Sequence, residues 1–338
     1  MISHLLHDIK NKSAQEIQFR LGHLTLIRVS NEWVQLDNNE LSLSEWEDLK
    51  DLCLQSSEKI TLETKGFVRG IYTNDLESWS FTFTDWKDCM KAYFTYMPRQ
   101  IHATHLSFSA YWESIKARSG IHIVSGQKSA GKSIFMSQIA EDIRKHSPEL
   151  IGVHSPVSNL SLLSSDSIIH LGVDSIAWDS QHPLFDGIDT FIVDLNQLQH
   201  LEKWIHFSEE GRKIFITISS SSLENALLQL RTETQSNPAL WKRLCEQLMT
   251  VSFQKCHHQQ VVNEVVVLKH LDQKKLSHYD QDEPKKDLTD FIRNAELRQS
   301  LNQALIQALV RRRIDVKTAF ILTNDPEDLD QNLKRMGI

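Results

Sequence analysis

The sequence predicts an α/β fold in which a mostly parallel sheet is flanked by helices and preceded by a smaller α/β unit. From residue 121 onward, short apolar runs alternate with stretches of helical spacing, a pattern typical of parallel strands joined by crossover helices. The first hundred residues contain apolar runs and a helical segment of their own. The chain has 338 residues, which is enough for two domains with separate cores.

The N-terminal unit is expected to contain four strands and one clear helix. Apolar runs predict strands at residues 24–29, 33–36, 60–63 and 80–84. Ser44 and Glu47 have the spacing of a helix capping box, in which each side chain bonds the backbone at the other's position. Trp46, Leu49 and Cys53 then lie on one face of that helix.

A domain boundary is expected close to Pro98. The residue before a proline is pushed toward extended geometry, so Met97 marks the exit from the first unit. This predicts a first domain at residues 1–98, a linker at 99–107 and a second domain at 108–338. A short helix around 112–116 leads to the first strand of the second domain.

The second domain is expected to alternate strands and helices and to end in a helical tail. Besides the run at 121–124, strands are predicted at 150–153, 167–171, 190–193, 213–218 and 261–268. The polar residues 274–286 are interpreted as a loop, and helices occupy about 287–338. In this tail Leu301, Leu305 and Leu309 form an apolar stripe, while Asp315 and Asp325 are expected to cap the next two helices.

The most informative stretch reads Gly-Gln-Lys-Ser-Ala-Gly-Lys-Ser, a complete G-x-x-x-x-G-K-[ST] phosphate-binding loop between a strand and a helix. Glycines let the backbone N–H groups converge on a phosphate at the helix N-terminus. The lysine is expected to reach the β- and γ-phosphates of ATP or ADP, and the final serine hydroxyl to bind Mg²⁺. The residues predicted to contact nucleotide are Gly126, Gln127, Lys128, Ser129, Ala130, Gly131, Lys132 and Ser133.

Net charge, the length of apolar runs and the spacing of cysteines limit the classes of function that the sequence allows. The formal net charge of -7 gives no overall attraction to nucleic acid, so no nucleic-acid partner is expected. No apolar run approaches the length of a membrane span, which predicts a cytoplasmic protein without membrane insertion. The four cysteines show no C-x-x-C spacing, and residues 256–258, Cys-His-His, are interpreted as a surface loop rather than a metal site.

With this order of elements, the sequence resembles the type II/IV secretion-ATPase superfamily, specifically its pilus-retraction motors of the PilT type. The resemblance covers nearly the whole chain and rests on residues 16–19, 26–29, 300–305, 316–319 and 325–329, besides the phosphate loop. It implies a RecA-like P-loop NTPase core with a small PAS-like N-terminal domain. It also implies a homo-hexameric ring, or a mixed ring with an active paralogue. Such a ring would serve a type IV pilus or envelope machine, in twitching motility for example, at the inner face of the cell membrane.

The departures from this family concern catalysis. The family's acidic box, Glu-Asp-Pro-x-Glu, corresponds here to residues 154–158, His-Ser-Pro-Val-Ser. Its histidine box ends here in Ser219-Ser220, and the arginines that its N-terminal domain points at a neighbouring subunit have no counterpart in residues 81–87. Asp194 directly follows an apolar strand and is the candidate to hold Mg²⁺ through water, while His154 is a candidate replacement base.

Three interpretations follow from these matches and departures. The first is a hydrolysis-impaired relative of the motors that binds nucleotide and acts as a regulatory or structural subunit. The second is an active hexameric ATPase that uses Asp194, His154 or another group in place of the missing residues. The third is an interaction scaffold that does not depend on nucleotide.

Overall fold

The computed structural model describes residues 14, 16–29, 32–73, 78–86, 89–97, 108–116, 119–128, 130–154, 167–171, 182–194, 200–257, 260–278 and 284–337. The chain divides into two compact units, whose described residues lie within 14–97 and 108–337. The expected linker at 99–107 falls outside the described residues. The prediction of an α/β fold with a parallel-rich sheet, a small N-terminal domain and a helical tail is confirmed.

The N-terminal unit is an antiparallel sheet with two helices inserted between its third and fourth strands. The strands are β1 (Glu16–Arg20), β2 (Leu24–Val29), β3 (Glu32–Glu40), β4 (Phe67–Thr73), β5 (Ser78–Trp86) and β6 (Cys89–Met97). The helices are α1 (Leu43–Cys53) and α2 (Ser56–Lys65). The strand order is β3-β2-β1-β6-β5-β4, so the two halves of the unit meet where β1 pairs with β6.

Aromatic rings fill the core of this unit. Phe19 of β1 meets Phe94 of β6 edge to face, with 5.6 Å between ring centroids. Trp46 of α1 packs against Phe83 of β5, with 5.5 Å between ring centroids. The predicted helix face is confirmed, because Trp46, Leu49 and Cys53 are all buried.

Three predictions for the N-terminal unit were wrong. The unit has six strands and two helices rather than four strands and one helix, because β1, β4, β6 and α2 were not predicted. Residues 60–63 form part of helix α2 rather than a strand, because only Leu62 of that run is buried and Ile60 faces solvent. A short apolar run does not by itself distinguish a strand from a helix turn. The capping box is made by Ser42 and Glu45, two residues before the predicted pair, and the Ser42 N–H donates to Glu45 Oε2 at 2.9 Å.

The second unit alternates helices and strands as predicted. Its strands are β7 (Gly120–Gly126), β8 (Ile151–His154), β9 (Ile168–His170), β10 (Thr190–Asp194), β11 (Lys213–Ser219), β12 (Leu248–His257), β13 (Gln260–Val267) and β14 (Leu297–Gln299). Its helices are α3 (Ser109–Ile115), α4 (Lys132–His146), α5 (Leu201–Glu209), α6 (Leu223–Glu233), α7 (Pro238–Gln247), α8 (His270–Ser277), α9 (Pro284–Asn294), α10 (Leu301–Val310), α11 (Val316–Leu322) and α12 (Pro326–Arg335).

The sheet of the second unit has the order β14-β13-β12-β7-β11-β10-β8-β9. Strands β12, β7, β11, β10, β8 and β9 run parallel, and β13 and β14 extend the β12 edge in antiparallel orientation. Strand β7 therefore lies inside the sheet, between β11 and β12. The carboxyl ends of β7, β11, β10 and β8 share one edge, the edge at which open α/β sheets bind ligands.

The helical tail forms a cluster of its own. Leu301, Leu305, Leu329 and Leu333 are buried together with Val262 of β13. Asp315 and Asp325 cap α11 and α12, accepting from the N–H groups of Thr318 and Asp328 as predicted. The prediction of a loop at 274–286 was wrong at both ends of that range, since α8 continues to Ser277 and α9 starts at Pro284.

Candidate nucleotide-binding site

The phosphate loop leaves the sheet at the end of β7. Every residue of β7 is buried, and hydrogen-bonded ladders to β11 on one side and β12 on the other hold the strand in place. The loop then turns into α4, which begins at Lys132. Ser129 lies outside the described residues, and the other seven residues of the predicted loop lie between the end of this fixed strand and the first turn of a 15-residue helix.

The two loop glycines are required by close contacts. A Cβ built on Gly126 would lie 2.7 Å from the main-chain oxygen of Gln254 in β12 and 3.0 Å from Cβ of Ala130. Gly131 has φ of 83°, in the left-handed region that favours glycine, and a Cβ there would lie 3.1 Å from Cγ2 of Val261. The loop therefore lies directly on β12 and β13, with no room for side chains at these two positions.

The start of α4 presents backbone donors. The residue before the helix is Gly131, and no side chain of the described residues caps it. The first intrahelical bond runs from the Phe135 N–H to the Gly131 oxygen at 3.0 Å, so the preceding N–H groups of the helix have no intrahelical acceptor. Together with the positive end of the helix dipole, they form the kind of site that binds a phosphate group.

Lys132 extends back across the loop. Its ammonium group donates to the main-chain oxygens of Gly126 at 2.9 Å and Gln127 at 3.0 Å. A positive charge thus lies next to the helix N-terminus, where it can meet a phosphate once it leaves these oxygens. Ser133 follows in the first turn of α4, with its own main-chain oxygen accepting from the Ser137 hydroxyl at 2.9 Å.

The neighbouring strand ends supply the other candidate residues. Ser219 of β11 pairs with Gly126, and the Ser220 N–H donates to the Gly126 oxygen at 3.2 Å. Asp194 ends β10, two strands from β7, which separates its backbone from the loop by roughly 10 Å. His154 ends β8, three strands from β7 at roughly 14 Å, and its side chain is buried. The loop, Asp194 and His154 therefore share one edge of the sheet, with His154 the most distant.

Two polar residues on the sheet beside the loop were not predicted from the sequence. Gln254 of β12 pairs with Gly126 on one side and with Asn263 of β13 on the other. Both side chains are buried, and neither the Gln254 amide nor Asn263 Oδ1 has a hydrogen-bond partner in the part of the chain that the structure describes. The alternation of polar Thr250, Ser252 and Gln254 along one strand was the available signal, but this strand was not predicted.

A second polar cluster lies at the opposite edge of the sheet and is structural. Lys213, at the start of β11, is buried and donates to Glu149 at 3.2 Å, and the hydroxyl of Thr190 at the start of β10 also donates to Glu149. Burial alone would raise the pKa of Glu149, but the Thr190 bond and the Lys213 charge together hold the pKa below its usual range. This cluster ties the amino ends of β10 and β11 to the residues that lead into β8.

Other features of the described residues do not indicate a further metal or membrane site. No group of three or more histidine, cysteine, aspartate or glutamate side chains is placed to hold a metal within the ranges given above. Cys256 and His257 belong to β12 rather than to the predicted surface loop, and His258 lies outside the described part. No disulfide joins the four cysteines, all of which are described. In the same residues, no helix is both long and apolar enough to cross a bilayer.

Solved structures share this fold across nearly the whole chain. The pilus retraction motor PilT with bound ADP has a TM-score of 0.72 at 14% identity and covers 97% of this chain and 98% of its own. The ATPase DotB of Legionella pneumophila has a TM-score of 0.70 at 14% identity, and the match covers 95% of this chain and 94% of the DotB chain. The ATPase DotB of Yersinia pseudotuberculosis has a TM-score of 0.71 at 15% identity, covering 95% and 92%.

In sequence, by contrast, no protein-family model and no curated protein matches the chain. The likeness at this low identity establishes the fold. It bears out the resemblance to PilT-type ATPases at the level of architecture.

Proposed function

We propose that this protein binds ATP or ADP with Mg²⁺ and is a hydrolysis-impaired relative of the pilus-retraction ATPases, acting as a regulatory or structural subunit. One observation carries the proposal. The phosphate loop is complete in sequence and lies between β7 and α4. Yet β11, next to β7, ends in Ser219, and β8, three strands from β7, ends in His154, so neither of these two strand ends supplies a carboxylate. PilT, which shares the fold, was solved with ADP bound.

Lys132, Ser133, Asp194 and the N–H groups at the start of α4 have distinct tasks in this proposal. The N–H groups at the start of α4 bind the β-phosphate, and Lys132 leaves the carbonyl oxygens of Gly126 and Gln127 to neutralise phosphate charge. The Ser133 hydroxyl would supply one Mg²⁺ ligand, and Asp194 would hold the ion through water. The roughly 10 Å between strand backbones is compatible with contact through water rather than direct ligation.

The expected defect concerns the attacking water. Phosphoryl transfer needs a positioned water and charge stabilisation beyond the loop itself. Loss of a general base costs about 10²- to 10⁴-fold in rate, and loss of an arginine finger about 10³- to 10⁵-fold. Either loss leaves nucleotide binding intact while making turnover very slow. The protein would then change conformation through binding rather than through hydrolysis.

The resemblance extends the proposal to assembly. We expect a homo-hexamer, or a mixed ring with an active paralogue, working with a type IV pilus or another envelope machine. Domain bounds of 1–98 and 108–338 remain part of this proposal, as does a cytoplasmic location with recruitment to the inner face of the membrane. Co-purification from cells would identify ring partners, and mass measurement across protein concentrations would give the subunit number.

The second candidate function is an authentic retraction ATPase, favoured by Asp194 at the end of β10. Asp194→Asn and His154→Gln test it. A drop of about 10²-fold or more in turnover in either variant would identify a compensating catalytic group. Unchanged turnover in both variants would exclude these two residues.

The deciding experiment measures MgATP binding and single-turnover hydrolysis together, over a range of protein concentrations, with Lys132→Ala as the comparison. Binding without turnover, weakened in Lys132→Ala, is the expected result. Turnover that depends on Lys132 would overturn the hydrolysis defect and establish a motor. Absence of binding in the natural protein would leave the nucleotide-independent scaffold as the remaining interpretation.

A further inference from the structure

A buried polar pair lies beneath the phosphate loop, at Gln254 and Asn263. Gln254 pairs in register with Gly126 and with Asn263, and residues paired in this way direct their side chains to the same face of a sheet. Val261, two residues before Asn263, lies on that face as well. Its Cγ2 is the atom closest to the position of a Cβ on Gly131. The loop thus rests on the face that carries these two amides.

The Gln254 side chain begins in contact with the loop itself. The position of a Cβ on Gly126 lies 3.4 Å from Cβ of Gln254 and 3.0 Å from Cβ of Ala130. Gln254 is fully buried, and Asn263 is 3% exposed. Both amides are therefore shielded from bulk solvent. The elements next to them are the loop backbone at Gly126 and helix α3, which packs against β12 and β13.

Three polar side-chain atoms of the pair form no hydrogen bond with the described residues. Among the described residues, Gln254 Nε2 and Oε1 and Asn263 Oδ1 have no partner, although buried amides in folded proteins are almost always bonded to protein, water or ligand. Lys132, by contrast, is bonded to the loop itself, because it donates to the oxygens of Gly126 and Gln127. When Lys132 moves to a phosphate, these loop bonds are lost and the loop needs other contacts.

We propose that Gln254, assisted by Asn263, is a positioning residue that hydrogen-bonds the backbone of the phosphate loop only when nucleotide fills it. The buried amide is costly while its bonds are unmade, and this cost is relieved in the filled state. Gln254 thereby makes nucleotide binding tighter without touching nucleotide. This inference rests on the proposed nucleotide binding and adds a specific residue to it.

Gln254→Met tests the inference because methionine keeps the length and shape of glutamine but removes both polar atoms. Replacing an unsatisfied buried amide by an apolar group leaves stability without nucleotide unchanged or higher. The same change removes a bond formed on binding, so the Kd for MgADP rises about tenfold, which corresponds to about 1.4 kcal/mol. Thermal unfolding without nucleotide and MgADP titration of the full chain give the two values.

Thr250→Val is the matched control, because Thr250 is a buried polar residue of the same strand whose bond is already made. Its hydroxyl lies 3.0 Å from Nδ1 of His122. This variant should lose stability and keep the Kd for MgADP, the reverse of the pattern expected for Gln254→Met. Asn263→Leu is a second test variant, expected to weaken MgADP binding in the same direction.

Each remaining outcome is decisive. Equal Kd values in the natural protein and in both variants would overturn the inference alone. A large loss of stability in Gln254→Met without nucleotide would show that the amide already has its hydrogen bonds before nucleotide binds, and would overturn it too. If the natural protein binds no MgADP, the proposed function and this inference both fail.

Discussion

Gly126 lies directly against the main chain of Gln254, so closely that a Cβ on the glycine would lie 2.7 Å from the Gln254 oxygen. This contact joins the first residue of the phosphate loop to the strand beside it. It ties the conformation of the loop to the position of β12. A methyl group there can be accommodated only if one of the two segments moves.

Gly126→Ala is therefore expected to disturb both the loop and the sheet. Overpacking of this kind costs about 1–3 kcal/mol of unfolding free energy. We expect MgADP affinity to fall at least about tenfold because the loop N–H groups no longer converge. Urea unfolding and nucleotide titration measure the two effects.

Gly211→Ala is the control for Gly126→Ala, since Gly211 has φ of 96° but no atom within 4 Å of a Cβ. It should lose about 1–2 kcal/mol through backbone strain and leave affinity unchanged. Equal affinity in Gly126→Ala and the natural protein would contradict the steric argument.

Ser133→Ala should separate metal-dependent from metal-independent binding. Loss of one oxygen ligand is expected to weaken ADP binding about tenfold with Mg²⁺ and to leave binding in EDTA unchanged. Ser137→Ala, one turn later on α4, removes a hydroxyl that bonds the Ser133 oxygen and should not change the Mg²⁺ dependence. Isothermal titration with and without Mg²⁺ provides the comparison, and equal losses in both conditions would argue against a metal ligand.

His122 predicts a specific dependence of stability on pH. Burial, and secondarily the Lys213 charge, lowers the pKa of His122 to about 3, whereas the unfolded chain has a value of about 6.5. Between these values the unfolded chain binds a proton that the folded protein excludes. The stability that His122 contributes is therefore complete above about pH 6.5 and is lost as the pH falls toward 3, with a slope approaching about 1.4 kcal/mol per pH unit.

His122→Gln removes the pH-dependent contribution of His122 to the free energy of unfolding. The natural protein should lose about 1.4 kcal/mol more than His122→Gln between high pH and pH 5.5, by urea unfolding at a series of pH values. His270→Gln, at an exposed histidine, controls for removal of a histidine and should follow the natural protein. Parallel curves for the natural protein and His122→Gln would contradict a buried neutral imidazole.

Arg312 is expected to be replaceable by glycine with a gain in stability. It has φ of 56°, the only positive value at a non-glycine position among the described residues, in the turn after α10. Relief of left-handed strain, about 1–2 kcal/mol, exceeds the entropy that glycine adds to the unfolded chain, so Arg312→Gly should gain about 0.5 kcal/mol.

Arg311→Gly is the matched substitution next to it. Arg311 has φ of -82°, so there is no strain to relieve and about 0.5–1 kcal/mol should be lost. Urea unfolding would show a higher midpoint for Arg312→Gly and a lower midpoint for Arg311→Gly, provided that the dependence of unfolding free energy on urea concentration is the same in both variants. A shift in the same direction for both would contradict the strain argument.

Particular residues show why part of the fold could be predicted. The run before the phosphate loop, the capping aspartates at 315 and 325 and most strands of the second unit were confirmed. These features are encoded locally, by motif spacing or by apolar runs long enough to identify a buried strand. Helix α2 was predicted as a strand because the four residues 60–63 are too few to reveal a period.

Several strands were not predicted for a related reason. β1 and β14 are short, β4 has a single buried residue, and β6 mixes buried with partly exposed residues. β12 alternates apolar residues with Thr250, Ser252 and Gln254, which are polar although they are buried. Their partners lie far away in sequence, as in the pairing of Gln254 with Gly126. Pairing at such separations depends on the assembled sheet and leaves little local signal.

The sequence by itself determined the phosphate loop, the alternation of strands and helices and the candidate residues Lys132, Ser133 and Asp194. These follow from residue types at fixed spacing, which act through the backbone nearby. Only the tertiary structure decided that Lys132 bonds the loop oxygens and that the Gln254 amide and Asn263 Oδ1 are buried beside the loop without a partner among the described residues. The physical reason is that burial and hydrogen-bond satisfaction depend on which distant strands become neighbours, and this is fixed when the whole sheet packs.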